Sequence, residues 1–168
     1  MIATKETVYK KDLANKKIKV TREFDAPVAE VWKAWTEPEL LDQWWAPKPW
    51  KAVTVSMNFK PGGKWFYYMQ GPDDTRHYCI ADYVTITPTR SFSVKDAFTD
   101  DKGNIDTKMP TMNWNIAFNS AGNATKVEIE ITSKTEEDLN KIVEMGFKEG
   151  FTAAHCNLDE VLSKVSAS

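Results

Sequence analysis

Few side chains in this 168-residue chain have both the type and the spacing for covalent or metal chemistry. The soft ligands are His77, Cys79, His155 and Cys156. His77 and Cys79 stand two apart, the spacing of one strand face. His155 and Cys156 are helix neighbours separated by about 100°, an awkward arrangement for chelating one ion. A zinc site needs tetrahedral convergence that this spacing does not promise, so no metal and no cofactor are expected. A Cys79–Cys156 disulfide is not expected in a reducing compartment. The chain holds no Ser elbow, no His-x-x-x-His pair and no phosphate-cradling loop. Gly62-Gly63 reads as a hairpin turn because no helix is expected after it. Two carboxylates, Asp82 and Asp96, fall within otherwise apolar stretches. On an inner face such a group has a raised pKa and can act as a base. The expectation for both is the commoner arrangement, facing solvent or pairing with Arg76, Arg90 or a lysine.

Rings and thioethers are a different matter. The chain carries seven Trp, eight Phe, five Tyr and six Met. Such side chains fill cores, and they also line pockets for apolar or aromatic ligands. Which of the two they do depends on the elements that carry them.

Residues 1–16 are polar and aperiodic and read as a loosely attached lead-in, with residues 17–168 as a single domain. Lys17 to Phe24 alternates, with Ile18, Val20 and Phe24 on one face, as a half-buried strand does. Asp25 suits a helix N-cap, with Pro27 in the first turn. Val28, Val31, Trp32 and Trp35 recur at helical spacing, and a second short helix begins near Pro38-Glu39. It ends near Trp44-Trp45, because Pro47 and Pro49 cannot continue it. Six strands follow, over residues 53–59, 64–70, 76–87, 91–99, 112–119 and 125–133. In the first of them Val53, Val55 and Met57 share a face; in the last Val127, Ile129 and Ile131 oppose Lys126, Glu128 and Glu130. Such alternation suits an antiparallel sheet with one solvated face. A long helix, Thr135 to Val165, closes the chain with an apolar stripe that includes Phe147, Phe151, Leu158 and Val165. Gly146 and Gly150 interrupt it, each at ~1 kcal/mol relative to Ala. Close approach to the sheet, or room for a ligand, would offset that cost.

A greasy sheet face needs a cover, and the long helix is the only element large enough. The fold class is therefore α+β, with a wedge between sheet and helix. Trp65, Tyr67, Met69, Trp114, Phe147 and Phe151 should face that wedge. Trp44, Trp45 and Trp50 lie in a Pro-rich segment suited to its mouth, where binding residues concentrate. Met57, Phe98 and His155 join Trp45, Trp50 and the wedge residues as the expected ligand contacts. His155 stands four residues from Phe151 and three from Leu158, at the stripe's edge. A buried imidazole without a partner costs roughly 1–3 kcal/mol, so it should bond a strand residue, a water or a ligand.

These segments resemble the activator of heat-shock-protein-90 ATPase homologue-like branch of the START-like (SRPBCC) superfamily. The resemblance runs from Phe24-Asp25-Ala26-Pro27 through Pro38-Glu39-Leu40-Leu41-Asp42-Gln43-Trp44-Trp45. It continues with Phe59-Lys60-Pro61-Gly62-Gly63-Lys64-Trp65, Gly71-Pro72-Asp73, Asp96-Ala97-Phe98 and Met109-Pro110-Thr111-Met112, and ends at Glu144-Met145-Gly146-Phe147-Lys148-Glu149-Gly150-Phe151. It implies that residues 17–168 are one START-like domain of helix-grip fold. In that fold a curved seven-stranded antiparallel sheet wraps a long C-terminal helix, with two short helices between strands one and two. It also implies an apolar cavity, but no shared catalytic motif. The full-length eukaryotic activators have a further N-terminal domain that engages the chaperone. This chain leaves no room for one, so a direct chaperone partner is not expected. His155 stands where such proteins usually carry a large aliphatic residue.

The net charge of −2 gives no basic footprint for nucleic acid or anionic membrane. No export signal and no membrane-spanning run is read, which points to the cytoplasm, as a monomer or homodimer. The leading expectation is a protein that binds a small hydrophobic or aromatic molecule. A cyclase- or dehydratase-type enzyme using the same cavity, and a chaperone-related interaction protein, are the alternatives.

Overall fold

Wherever the sequence alternates, the chain forms sheet. A computed structural model describes residues 6–167, with side chains through residue 164. Along the chain run β1 (Val8–Asp12), β2 (Lys17–Phe24), α1 (Val28–Thr36) and α2 (Pro38–Trp44). Then come β3 (Lys51–Met57), β4 (Lys64–Gln70), β5 (Arg76–Thr87), β6 (Ser91–Thr99), β7 (Met112–Ala121) and β8 (Ala124–Ser133). Two helices close the chain, α3 (Glu136–Glu144) and α4 (Phe147–Ala167). All eight strands join one antiparallel sheet in the order β1-β2-β8-β7-β6-β5-β4-β3. This is the helix-grip arrangement, with eight strands rather than the expected seven.

The extra strand lies inside the expected lead-in. Val8–Asp12 pairs with Lys17–Thr21 through a tight turn at Leu13–Lys16. Its sequence, Val-Tyr-Lys-Lys-Asp, lacks an apolar alternation because it is an edge strand, where lysines are favoured. It is nonetheless tied down: the Tyr9 hydroxyl donates to the Lys148 carbonyl at 2.9 Å, and Lys11 Nζ reaches Asn140 at 2.6 Å. The rest of the lead-in, Met1–Lys5, lies outside the described residues, as does the side chain of Val165.

The core lies between the middle of the sheet and α4. Ile18 and Val20 of β2 and Val127, Ile129 and Ile131 of β8 meet Ala154, Leu158 and Leu162 of α4, all buried. Arg22, also buried, forms an ion pair with Asp159 and so ties β2 to the same helix. Trp65, Trp114 and Phe151 are buried as the alternation predicts.

Three local expectations are corrected. The N-cap of α1 is Pro27, not Asp25. In β3 the inward residues are Ala52 and Thr54, and Val55 is exposed. A β-bulge between Thr54 and Ser56 shifts the register there and brings Met57 opposite Trp65. The closing helix is two helices. Thr135 caps α3 by accepting the Asp138 N–H at 3.0 Å, and the chain then turns at Gly146, φ +90°. A left-handed residue after the last turn is how glycine ends a helix. Among the described residues no helix is long and apolar enough to cross a membrane.

Candidate functional site

The wedge between sheet and helices is filled at one end and open at the other. At the filled end α1 and α2 contribute a nest of rings. Trp44 is fully buried, donates its indole N–H to the Ala34 carbonyl at 2.9 Å and sits 4.8 Å from Trp35. It belongs to the core, not to the mouth where the Pro-rich segment suggested it. Trp45 turns the other way and donates to the Tyr67 hydroxyl at 3.0 Å. Tyr67 stacks on Trp65 at 3.9 Å, and Trp65 donates to the Thr54 hydroxyl, which donates to Asp42. This chain of bonds explains why Thr54, not its apolar neighbours, faces inward. What space remains here is a cavity of about 30 Å³ lined by Trp35, Trp45, Trp65, Tyr67, Asp96 and Trp114, among others.

Towards the α3–α4 turn the wedge opens into a cavity of about 850 Å³. Trp45, Tyr67, Met69, Phe98 and Trp114 line it from below, and Phe147 and Phe151 from α4. Phe147 and Phe151 stack on each other at 5.2 Å, and Trp114 meets Phe151 edge-on at 5.6 Å. The turn at Gly146 lets this aromatic pair start a new helix over the opening. Gly146 and Gly150 both lie in the wall, so neither marks a close approach to the sheet. Pro47 and Trp50 stand at the rim, with Trp50 stacked on His77 at 5.4 Å. Two expected contacts are not in either wall. Met57 packs against the core beyond the β3 bulge, and His155 is enclosed within the core. Trp65 lines only the small cavity.

His155 is held by rings and by one hydroxyl. Phe24, Trp35, Trp44 and Phe151 surround it, and Nδ1 lies 3.0 Å from the Thr7 hydroxyl just ahead of β1. Its Nε2 meets no partner among the described residues. Burial, and secondarily the Arg22 guanidinium, hold its pKa down to about 3, so the imidazole is neutral. The departure from an aliphatic residue thus serves the seam between β1 and α4.

The two carboxylates divide. Asp82 pairs with Lys64 at the surface, as expected. Asp96 does neither of the things expected of it. It shares the inner face of β6 with Phe92, Val94 and Phe98 and lines both cavities. The residue as a whole is half-buried because the cavity reaches it, yet its Oδ1 is sealed and has no hydrogen-bond partner among the described residues. Burial pushes its pKa up to about 7, and the Ala97 backbone N–H only partly offsets this. Beside it, burial also pushes up the Cys79 thiol and the Tyr67 phenol, with the Asp96 charge adding to both. Cys79 and Cys156 are both free thiols. Among the described residues no group of three or more His, Cys, Asp and Glu is placed to hold a metal ion.

Sequence reasoning missed Asp96 and the Met109-Pro110 segment of the wall. For Asp96 the signal was present: it has the same parity as Phe92, Val94 and Phe98. Met109-Pro110 is singled out only by the family resemblance and by no periodicity, since that segment lies between strands and reaches the cavity only in three dimensions.

Comparison with known proteins agrees with this architecture. Residues 25–163 match the family model described as activator of Hsp90 ATPase homolog 1-like protein. A solution structure of a protein from Arthrobacter aurescens is 32% identical, with a TM-score of 0.88, covering 94% of this chain and 91% of that one. The crystal structure of protein Ms6760 from Mycobacterium smegmatis is 28% identical with a TM-score of 0.86, covering 94% and 97%. A Staphylococcus epidermidis protein is 30% identical with a TM-score of 0.82, covering 93% of each chain. No curated protein matches the chain. With a family model spanning most of its length and a START-like fold shared with these structures, the chain belongs to the activator of Hsp90 ATPase homolog 1-like family.

Proposed function

We propose that this protein binds a small hydrophobic or aromatic molecule in the cavity between the sheet and α4. The observation that carries this reading is the open space of about 850 Å³ walled by Trp45, Met69, Phe98, Trp114, Phe147 and Phe151. Ligand sites of this size are mostly apolar, with a few placed polar groups. The rigid sheet fixes the floor, and the rim residues Pro47 and Trp50 sit on a connection that can vary without disturbing it. Its two free thiols support a reducing, cytoplasmic setting. Calorimetric titration with 2-methylnaphthalene tests the reading. Saturable binding with Kd in the micromolar range, on the order of −8 kcal/mol, is the expected result. No saturable binding of either 2-methylnaphthalene or 2-naphthol at any accessible concentration would reject it.

One observation favours a second reading, an enzyme of the cyclase or dehydratase type. Asp96, with a pKa of about 7, is poised to take up or release a proton inside the cavity. Turnover of a bound hydroxylated compound, lost in Asp96→Asn, would establish that reading. Binding without turnover leaves the first.

A further inference from the structure

The filled end of the wedge contains polar atoms that the protein itself does not satisfy. Asp96 Oδ1, Trp114 Nε1 and Trp35 Nε1 are buried and have no hydrogen-bond partner among the described residues. All three residues line the cavity of about 30 Å³, and Asp96 and Trp114 also line the large one. The register explains their nearness. On β6 and β7, Val94 lies opposite Trp114 and Asp96 opposite Met112. Asp96 and Trp114 are thus diagonal neighbours on one face, a separation that long side chains bridge. Unpartnered buried groups are uncommon because each carries a desolvation cost. The three residues that carry them share one small space, where a polar atom would find partners.

The donors and acceptors specify which atom. A carboxylate oxygen needs a proton, and two indole N–H groups need lone pairs. An ammonium has no lone pair for the indoles, and a ketone oxygen has no proton for the ionised Asp96 carboxylate. A hydroxyl has one proton and two lone pairs, and it fits a space the size of a water molecule. Resting on the ligand-binding reading above, we propose that the small cavity is a hydroxyl-recognition subsite. An alcohol or phenol ligand lies with its apolar body against Phe147 and Phe151. Its hydroxyl donates to the Asp96 carboxylate and accepts from the Trp114 indole N–H. Asp96 and Trp114 are thereby the specificity-determining residues of the cavity.

Matched probes test this. 2-Naphthol and 2-methylnaphthalene have nearly the same shape, and only the first can fill the subsite. A site that hydrogen-bonds a hydroxyl discriminates strongly against the analogue that lacks it. In the wild type, 2-naphthol should bind at least tenfold more tightly by calorimetry. Asp96→Leu should abolish that advantage, so that 2-naphthol and 2-methylnaphthalene bind equally. Trp114→Phe replaces the indole by a smaller ring without the N–H, so it should reduce the advantage severalfold even if Asp96→Leu does not fold. Equal affinities of the wild type for both probes would overturn the subsite, assign the small cavity to a structural water and leave the ligand-binding reading standing. A preference for 2-naphthol that persists in both variants would overturn the roles of Asp96 and Trp114. Binding of neither probe would overturn the ligand-binding reading, and the subsite with it.

Discussion

Asp96 and His155 should impose opposite slopes on the pH dependence of stability. Burial raises the Asp96 pKa from 3.8 to about 7, so the folded protein holds this proton more tightly than the unfolded chain. Its favourable contribution is complete at low pH and is lost as pH rises through about 7. The His155 pKa is lowered from 6.5 to about 3, chiefly by burial. Its contribution is complete above about pH 6.5 and is lost as pH falls toward about 3. Between about pH 4 and 6.5 the two effects oppose each other. Asp96→Asn should therefore unmask a stability that rises with pH across this window, and His155→Leu one that falls. Each change should amount to roughly 1–3 kcal/mol, with Asp96 at the lower end because the open cavity lets water screen it. Urea denaturation at both ends of the window measures this, and unchanged profiles in the two variants would contradict the burial of both groups. These residues also show what is legible in advance. Parity along β6 places Asp96 inward, but the general rarity of buried carboxylates outweighs it. The need of His155 for a partner follows from the sequence, whereas the partner, Thr7, sits in a segment with no pattern to announce it.

The breaks and bulges separate elements that look continuous in sequence. Gly146 and Gly150 occupy the same apolar stripe four residues apart, and periodicity cannot distinguish them. The backbone does. Gly146 sits at φ +90° between α3 and α4. Gly150 lies within α4, where an added Cβ would meet the Pro47 ring at 3.7 Å, ordinary contact range. Gly146→Ala should lower stability by about 1 kcal/mol or more, because a Cβ disfavours that conformation. Gly150→Ala should raise it by up to about 1 kcal/mol through helix propensity. Thermal unfolding of the two variants gives the comparison, and equal shifts of the same sign would refute the helix break. Strands with strong alternation, such as β4, β5 and β6, were legible to their end residues. β1 was not, because edge strands carry lysines in place of an apolar face. The β3 face was misread because a bulge changes side-chain parity without leaving a mark in composition.

At the scale of the molecule, the ring content foretold a wedge crowded with aromatic side chains but not which part of it stays open. That depends on how the rings divide. Trp35 and Trp44 fill the end under α1 and α2, while Trp45, Trp114, Phe147 and Phe151 wall the space beneath the α3–α4 turn. No local pattern encodes such a division, since it follows from three-dimensional packing of elements far apart in the chain. The indole N–H signals in a proton–nitrogen correlation spectrum report on it directly during titration with 2-naphthol. Signals from Trp45, Trp50 and Trp114 should shift saturably along one binding curve, while that of Trp44, bonded within the core, stays in place. A titration that leaves the three wall signals unmoved would contradict a ligand site between the sheet and α4.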